Sequence, residues 1–79
     1  VSDSVYTWNY RVMRTGEPTD FGDGQYGIYE VHYKDGKAES YSVEPIEPYG
    51  ETLDELRDDL KRMLMALERP LFDYEKEKA

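Results

Sequence analysis

Apolar side chains recur at spacings of three and four between residues 50 and 70, and only there. Leu53, Leu56, Leu60, Met63, Leu64 and Leu67 fall on one stripe, which predicts a helix over residues 53–69 laid on something flat. Thr52 predicts the N-cap, and Glu55 three residues later completes a capping box. Pro70 cannot continue the helix, so Glu68 or Arg69 is its expected last residue. The opposite face carries Asp54, Asp58, Lys61, Arg62 and Met65, with acids early and bases late, as the helix dipole favours. Asp58 and Arg62 are spaced for an i,i+4 ion pair worth about 0.2–0.5 kcal/mol. Met65 is the apolar exception on that face. A single exposed apolar residue is ordinary, but an adaptable thioether also suits a partner contact.

Before the helix the period changes from 3.6 to two. Tyr6, Trp8, Tyr10 and Val12 alternate with Thr7, Asn9, Arg11 and Met13, predicting a strand over residues 6–14 with the first set facing the core. Residues 15–24 hold three glycines, a proline and three acids, and read as a loop that Phe21 pins by tucking back onto the sheet. A second strand is expected over residues 25–33 and a third over residues 38–43. Between them Asp35-Gly36 fits a two-residue type I′ turn. A regular two-residue hairpin sets Tyr33 opposite Ala38, Val31 opposite Ser40 and Tyr29 opposite Ser42. On the other face it sets His32 against Glu39, Glu30 against Tyr41 and Ile28 against Val43.

The face with Tyr29, Val31, Tyr33, Ala38, Ser40 and Ser42 carries no charge, and its small residues would admit a helix closely. It is the expected helix side. Residues 44–50 hold two prolines and read as an extended connector outside any central strand. Leu71, Phe72 and Tyr74 are expected to fold back on the core. Residues 1–4 read as loose and residues 75–79 as a frayed polar end. Together these elements predict one α+β domain over residues 1–79: a three-stranded antiparallel β-meander with one C-terminal amphipathic helix on one face, in the order βββα.

Composition narrows the function. Ten basic and eighteen acidic side chains give a net charge of −8, which argues against direct nucleic-acid binding and suits a basic partner. Residues 44–59 hold seven acids (Glu44, Glu47, Glu51, Asp54, Glu55, Asp58, Asp59) against Arg57 alone. The protein has no cysteine, so disulfides and thiolate chemistry are excluded, and a reducing, cytoplasmic setting fits. No secretory leader or membrane span is legible. Eight tyrosines, one tryptophan and two phenylalanines exceed what one helix can cover, and tyrosine is enriched at interfaces as well as in strands.

Signals for catalysis are weak. His32, the one histidine, has Glu30 and Glu39 as expected neighbours, but a general base also needs a substrate site, and a strand histidine paired with a glutamate is the simpler expectation. Asp20-Phe21-Gly22 matches the kinase metal-binding triplet without the other kinase motifs. Glu17, Asp20 and Asp23 lack the spacing of a calcium loop. No enzyme activity, metal or cofactor is expected.

Over nearly its whole length the pattern WNYR, YGIYEVHY, GETLDELRDDLKRMLMALERP and DY resembles a group of small bacterial hypothetical proteins of unknown function. The strand-rich segment running into GETLDELRDDLKRML is similar to antitoxins of the HicB type, whose Gly-x-Thr-x-x-Glu lead into a helix is matched here by Gly50, Thr52 and Glu55. That resemblance implies a helix laid on a small antiparallel sheet and a toxin protein as partner. The residues point to a small acidic, non-catalytic interaction module that binds a protein partner or dimerises, and the resemblance implies an antitoxin-like or regulatory one. A phage-type nucleic-acid mimic is the alternative. The expected contact residues are Tyr26, Ile28, Glu30, His32, Tyr41 and Val43 on the outer sheet face, with Asp54, Asp58, Asp59 and Met65 on the helix.

Overall fold

The computed structural model describes residues 3–22 and 24–78. Three strands form an antiparallel sheet in the order β1 (Tyr6–Thr15), β2 (Gln25–Lys34) and β3 (Lys37–Tyr41), followed by helix α1 (Leu53–Ala66) and a short helix α2 (Tyr74–Glu77). This is the expected βββα arrangement, with one helical turn added at the end. Val1, Ser2, Asp23 and Ala79 lie outside the described residues, and Asp23 is one of the three acids of the 15–24 loop.

The local signals hold where short-range chemistry decides. Asp35 and Gly36 adopt φ of 52° and 82°, the left-handed pair that a type I′ turn requires. The Thr52 hydroxyl accepts from the Glu55 N–H (3.1 Å), and the Glu55 carboxylate accepts from the Glu51 N–H (2.9 Å), one residue ahead of the cap. Regular helix ends at Ala66. Tighter bonds from the N–H groups of Leu67, Glu68 and Arg69 to the carbonyls of Leu64, Met65 and Ala66 close the last turn. Gly50 lies so close to the backbone of Glu55 and Leu56 that any side chain there would collide with the first helical turn.

The hairpin departs from its expected register after one pair. Tyr33 lies opposite Ala38, but His32 lies opposite Ser40 and Val31 opposite Tyr41, so Glu39 is the extra residue of a β-bulge. One inserted residue exchanges the faces of everything after it. Tyr41 therefore joins the Val31 face, and His32 faces Ser40 instead of Glu39. Beyond β3 the connector stays on β2: the Ser42 N–H donates to the Glu30 carbonyl (2.9 Å) and the Ile46 N–H to the Ile28 carbonyl (2.8 Å).

The helix covers the face opposite to the expected one. Tyr10 and Val12 pair with Glu30 and Ile28, so these residues share a face. There Tyr10, Val12, Met63 and Ala66 form a buried cluster, with Ile28 and Ile46 packed against it. On the uncharged face, Val31 and Ala38 are covered instead by the segment that follows Pro70. Phe72 packs on Val31 and Ala38, flanked by Met13, Tyr33 and Tyr74. The sheet is thus the middle of three layers. Tyr6 and Trp8, also expected inside, remain exposed, and Phe21 stands fully in solvent instead of pinning its loop.

Arg11 fixes the C-terminal layer, whose end was expected to fray. The buried guanidinium donates to both Glu77 carboxylate oxygens (2.8 and 3.0 Å), to the Pro70 carbonyl (3.0 Å) and to the Tyr33 hydroxyl (3.2 Å), and lies 5.3 Å from the centre of the Phe72 ring. Glu77→Ala strips this buried cation of its carboxylate. Because Glu77 is partly open to water, the expected loss is about 2 kcal/mol, below the range for a fully buried pair. Faster amide exchange confined to residues 70–78 would mark release of this layer before global unfolding.

Candidate functional site: two flanks of one helix

The helix is rotated about its own axis relative to the leucine stripe. Its buried positions are Asp59, Met63 and Ala66, with Leu56 half-buried. These recur at i, i+4 and i+7, and the small Ala66 admits β1 closely. Leu53 (78 % exposed), Leu60 (48 %), Leu64 (63 %) and Leu67 (62 %) stand to one side in the open.

Asp59 causes this rotation. Its Oδ1 accepts from the Tyr10 hydroxyl (2.7 Å) on β1, and its Oδ2 accepts from the Tyr49 N–H (3.0 Å) on the connector. Arg62 lies 3.6 Å away. One carboxylate therefore ties strand, connector and helix together. Burial works against its charge, but the Tyr10 and Tyr49 bonds and the Arg62 cation outweigh it and hold its pKa below the usual carboxylate value. Burial, then the hydrogen bond and the negative charge of Asp59, push the Tyr10 phenol up from 10.0 to about 12.

The two shifts act at opposite ends of the pH scale. The Asp59 contribution is present above the ordinary carboxylate range and is lost as the pH falls through it. The Tyr10 contribution is complete below pH 10 and lost as the pH rises towards 12. Tyr10→Phe is expected to remove most of the stability loss between pH 10 and 12. Urea midpoints of the two proteins across that range check this.

On the leucine side the helix, β2 and the connector enclose an open groove of about 420 Å³. Leu60, Met63, Leu64 and Leu67 form one wall; Tyr26, Gly27, Ile28, Ile46 and Pro48 form the other. The connector that supplies Ile46 and Pro48 also carries the exposed Glu44 and Glu47, Glu51 is exposed just after it, and Glu68 is exposed next to Leu67 in the sequence. On the opposite side of the helix a smaller hollow of about 190 Å³ is lined by Trp8, Asn9, Tyr10, Arg62, Met65 and Arg69.

The expected contact residues do not form one surface. Tyr26 and Ile28 meet in the groove. Glu30 and His32 lie further along the same sheet face, paired to each other at 3.2 Å. Tyr41 is on the far face because of the bulge, 5.9 Å from the Phe72 ring centre and 5.2 Å from that of Tyr74. Val43 lies past the end of β3 and is 93 % exposed. Asp54 is exposed and paired with Arg57 (2.6 Å), Asp58 is exposed, and Arg62 pairs with Asp59 instead of the expected Asp58. Asp59 is buried and structural. Met65 lines the hollow, away from the groove. Leu60, Leu64, Leu67, Ile46 and Pro48, read as core or connector from the sequence, are the groove residues that reasoning missed. The buried polar bond that turns the helix leaves no trace in a hydrophobic pattern.

Comparison with protein-family models, curated proteins and solved structures finds no match to this protein. Among the described residues no helix is long and apolar enough to cross a membrane.

Proposed function

We propose that this protein is a small acidic, non-catalytic interaction module that docks a basic protein partner, in the manner of an antitoxin-like or regulatory binder. The observation that carries this reading is the open leucine stripe facing Tyr26 and Ile28. Fully burying one leucine is worth about 1.5–3 kcal/mol, and a contiguous apolar patch of this kind marks an interaction site. Beside the groove the β2 carbonyls of Glu30 and Ile28 are already taken by the Ser42 and Ile46 N–H groups. Leu60, Leu64 and Leu67 follow i, i+4, i+7 spacing and form a helical ridge, which fits the apolar face of another helix. The net charge of −8 and the exposed Glu44, Glu47 and Glu51 on and next to the connector favour lysines or arginines flanking that face. A second copy is the poorer occupant, because each brings a net charge of −8. The nucleic-acid-mimic alternative loses support, since Asp59 is buried and Asp54 is paired with Arg57. A cytoplasmic setting accords with the cysteine-free sequence.

The test is calorimetric titration with an amphipathic leucine–lysine helical peptide and with its leucine–glutamate counterpart, beside sedimentation equilibrium of the protein alone. Binding of the lysine peptide only, to a monomeric protein, is the expected result. Absence of binding to either peptide, equal binding to both, or a stable homodimer would each overturn the reading.

A further inference from the structure

The hollow on the other flank of α1 has the opposite character. In a protein of net charge −8, two arginines share about 190 Å³ with an indole and a thioether. Neither guanidinium is well occupied. Arg62 reaches Asp59 only at 3.6 Å, and the hydrogen bond from Arg69 to the Tyr10 carbonyl is long, at 3.4 Å. By contrast Arg11 and Arg57 hold their carboxylates at 2.8 and 2.6 Å. Trp8 and Met65, 46 % and 55 % exposed, give the hollow an apolar floor.

The hollow opens beside the outer edge of the sheet. β1 is an edge strand, and its even-numbered residues turn their peptide groups outward: the Val12 carbonyl accepts from the Phe72 N–H and the Tyr10 carbonyl from Arg69. Trp8 is the next step of that ladder. Among the described residues its N–H and carbonyl have no hydrogen-bond partner. An open ladder step, an apolar floor and two forked cations thus converge at one place.

We propose that this flank binds an extended peptide segment carrying a carboxylate next to a large apolar side chain. The peptide adds alongside β1 at Trp8 through backbone hydrogen bonds. Its apolar side chain rests on Trp8 and Met65, and its carboxylate takes the N–H groups of Arg62 and Arg69. A free peptide terminus and an internal aspartate or glutamate supply the same carboxylate chemistry. The site is independent of the leucine groove, which lies across the helix and favours the opposite charge.

Trp8 is the sole tryptophan and reports directly on occupancy. Three short capped peptides serve as probes: one ending in a free phenylalanine carboxylate, its C-terminal amide, and an amide with an internal glutamate beside the phenylalanine. The expected result is a saturable change in Trp8 emission with at least one carboxylate-bearing probe and none with the neutral amide. Which carboxylate peptide binds more tightly identifies the source. The double variant Arg62→Gln, Arg69→Gln is expected to weaken binding about tenfold or more, the worth of one charge-assisted hydrogen bond. Should that variant unfold, Met65→Glu places a like charge on an exposed floor residue and is expected to abolish binding in a folded protein. Equal responses to acid and amide, no response to any probe at millimolar concentration, or unaltered binding by a folded variant would overturn the proposal.

Discussion

Replacing Asp59 by alanine is expected to destabilise the fold by about 3 kcal/mol. The change leaves the Tyr10 hydroxyl buried without its acceptor and removes the carboxylate from the Tyr49 N–H. Hydrogen bonds to a charged group contribute about 1.5–3 kcal/mol each, and their losses at one shared group do not simply add. A domain of this length has only about 4–12 kcal/mol in total, so the loss is a large fraction of it. Urea denaturation should show a lowered midpoint, with Asp58→Ala as the control within about 0.5 kcal/mol of the parent because its side chain is exposed. An Asp59→Ala variant as stable as the Asp58→Ala control would remove the carboxylate from its role as the tie between β1, connector and helix. The same substitution also frees the connector, whose Ile46 and Pro48 form a wall of the groove.

The second large effect is on binding. Leu60→Lys combined with Leu64→Lys is expected to weaken capture of the leucine–lysine peptide by about 100-fold or more, as truncation of two anchoring side chains does at other interfaces. The introduced lysines also repel a basic partner. Stability should change by no more than about 1 kcal/mol, since both leucines are largely exposed. A leucine in a packed core costs about 2–5 kcal/mol on truncation, so a thermal melt separates the two roles directly. A melt that collapses would return these leucines to the core. Intact binding by the folded variant would move the docking site elsewhere.

What could be read from the sequence follows the range of each signal. The Asp35-Gly36 turn, the Thr52–Glu55 cap and the change of period from two to 3.6 are local, and they place three strands and a helix within a few residues of where they lie. Tyr10 and Val12 are buried as their alternation implies, but which sheet face the helix covers was not legible. Glu39 carries no mark of a bulge, yet that one residue sends Tyr41 to the far side of the sheet. The leucine stripe is the most apolar pattern in the sequence, and hydrophobic periodicity assigns it to the core. The helix instead buries Asp59, because Tyr10, forty-nine positions away, satisfies its charge. Residues 75–78 look like a polar end until Arg11 is seen to bind Glu77, sixty-six positions away. Each of these last two misses is a polar partnership between distant residues, invisible to any local window. Of the candidate site, Tyr26 and Ile28 were legible as an apolar patch. The leucines opposite them were legible as a pattern, though not as a surface.

The most direct test of the central claim is a map of leucine and isoleucine methyl resonances during titration of the protein with the leucine–lysine peptide. Shifts concentrated at Leu60, Leu64, Leu67, Ile28 and Ile46, with Leu71 beyond the helix unmoved, are the predicted result. A map that leaves the three helix leucines unperturbed while the peptide binds, or one centred on Leu71 and the C-terminal layer, would contradict the assignment of the groove as the docking surface.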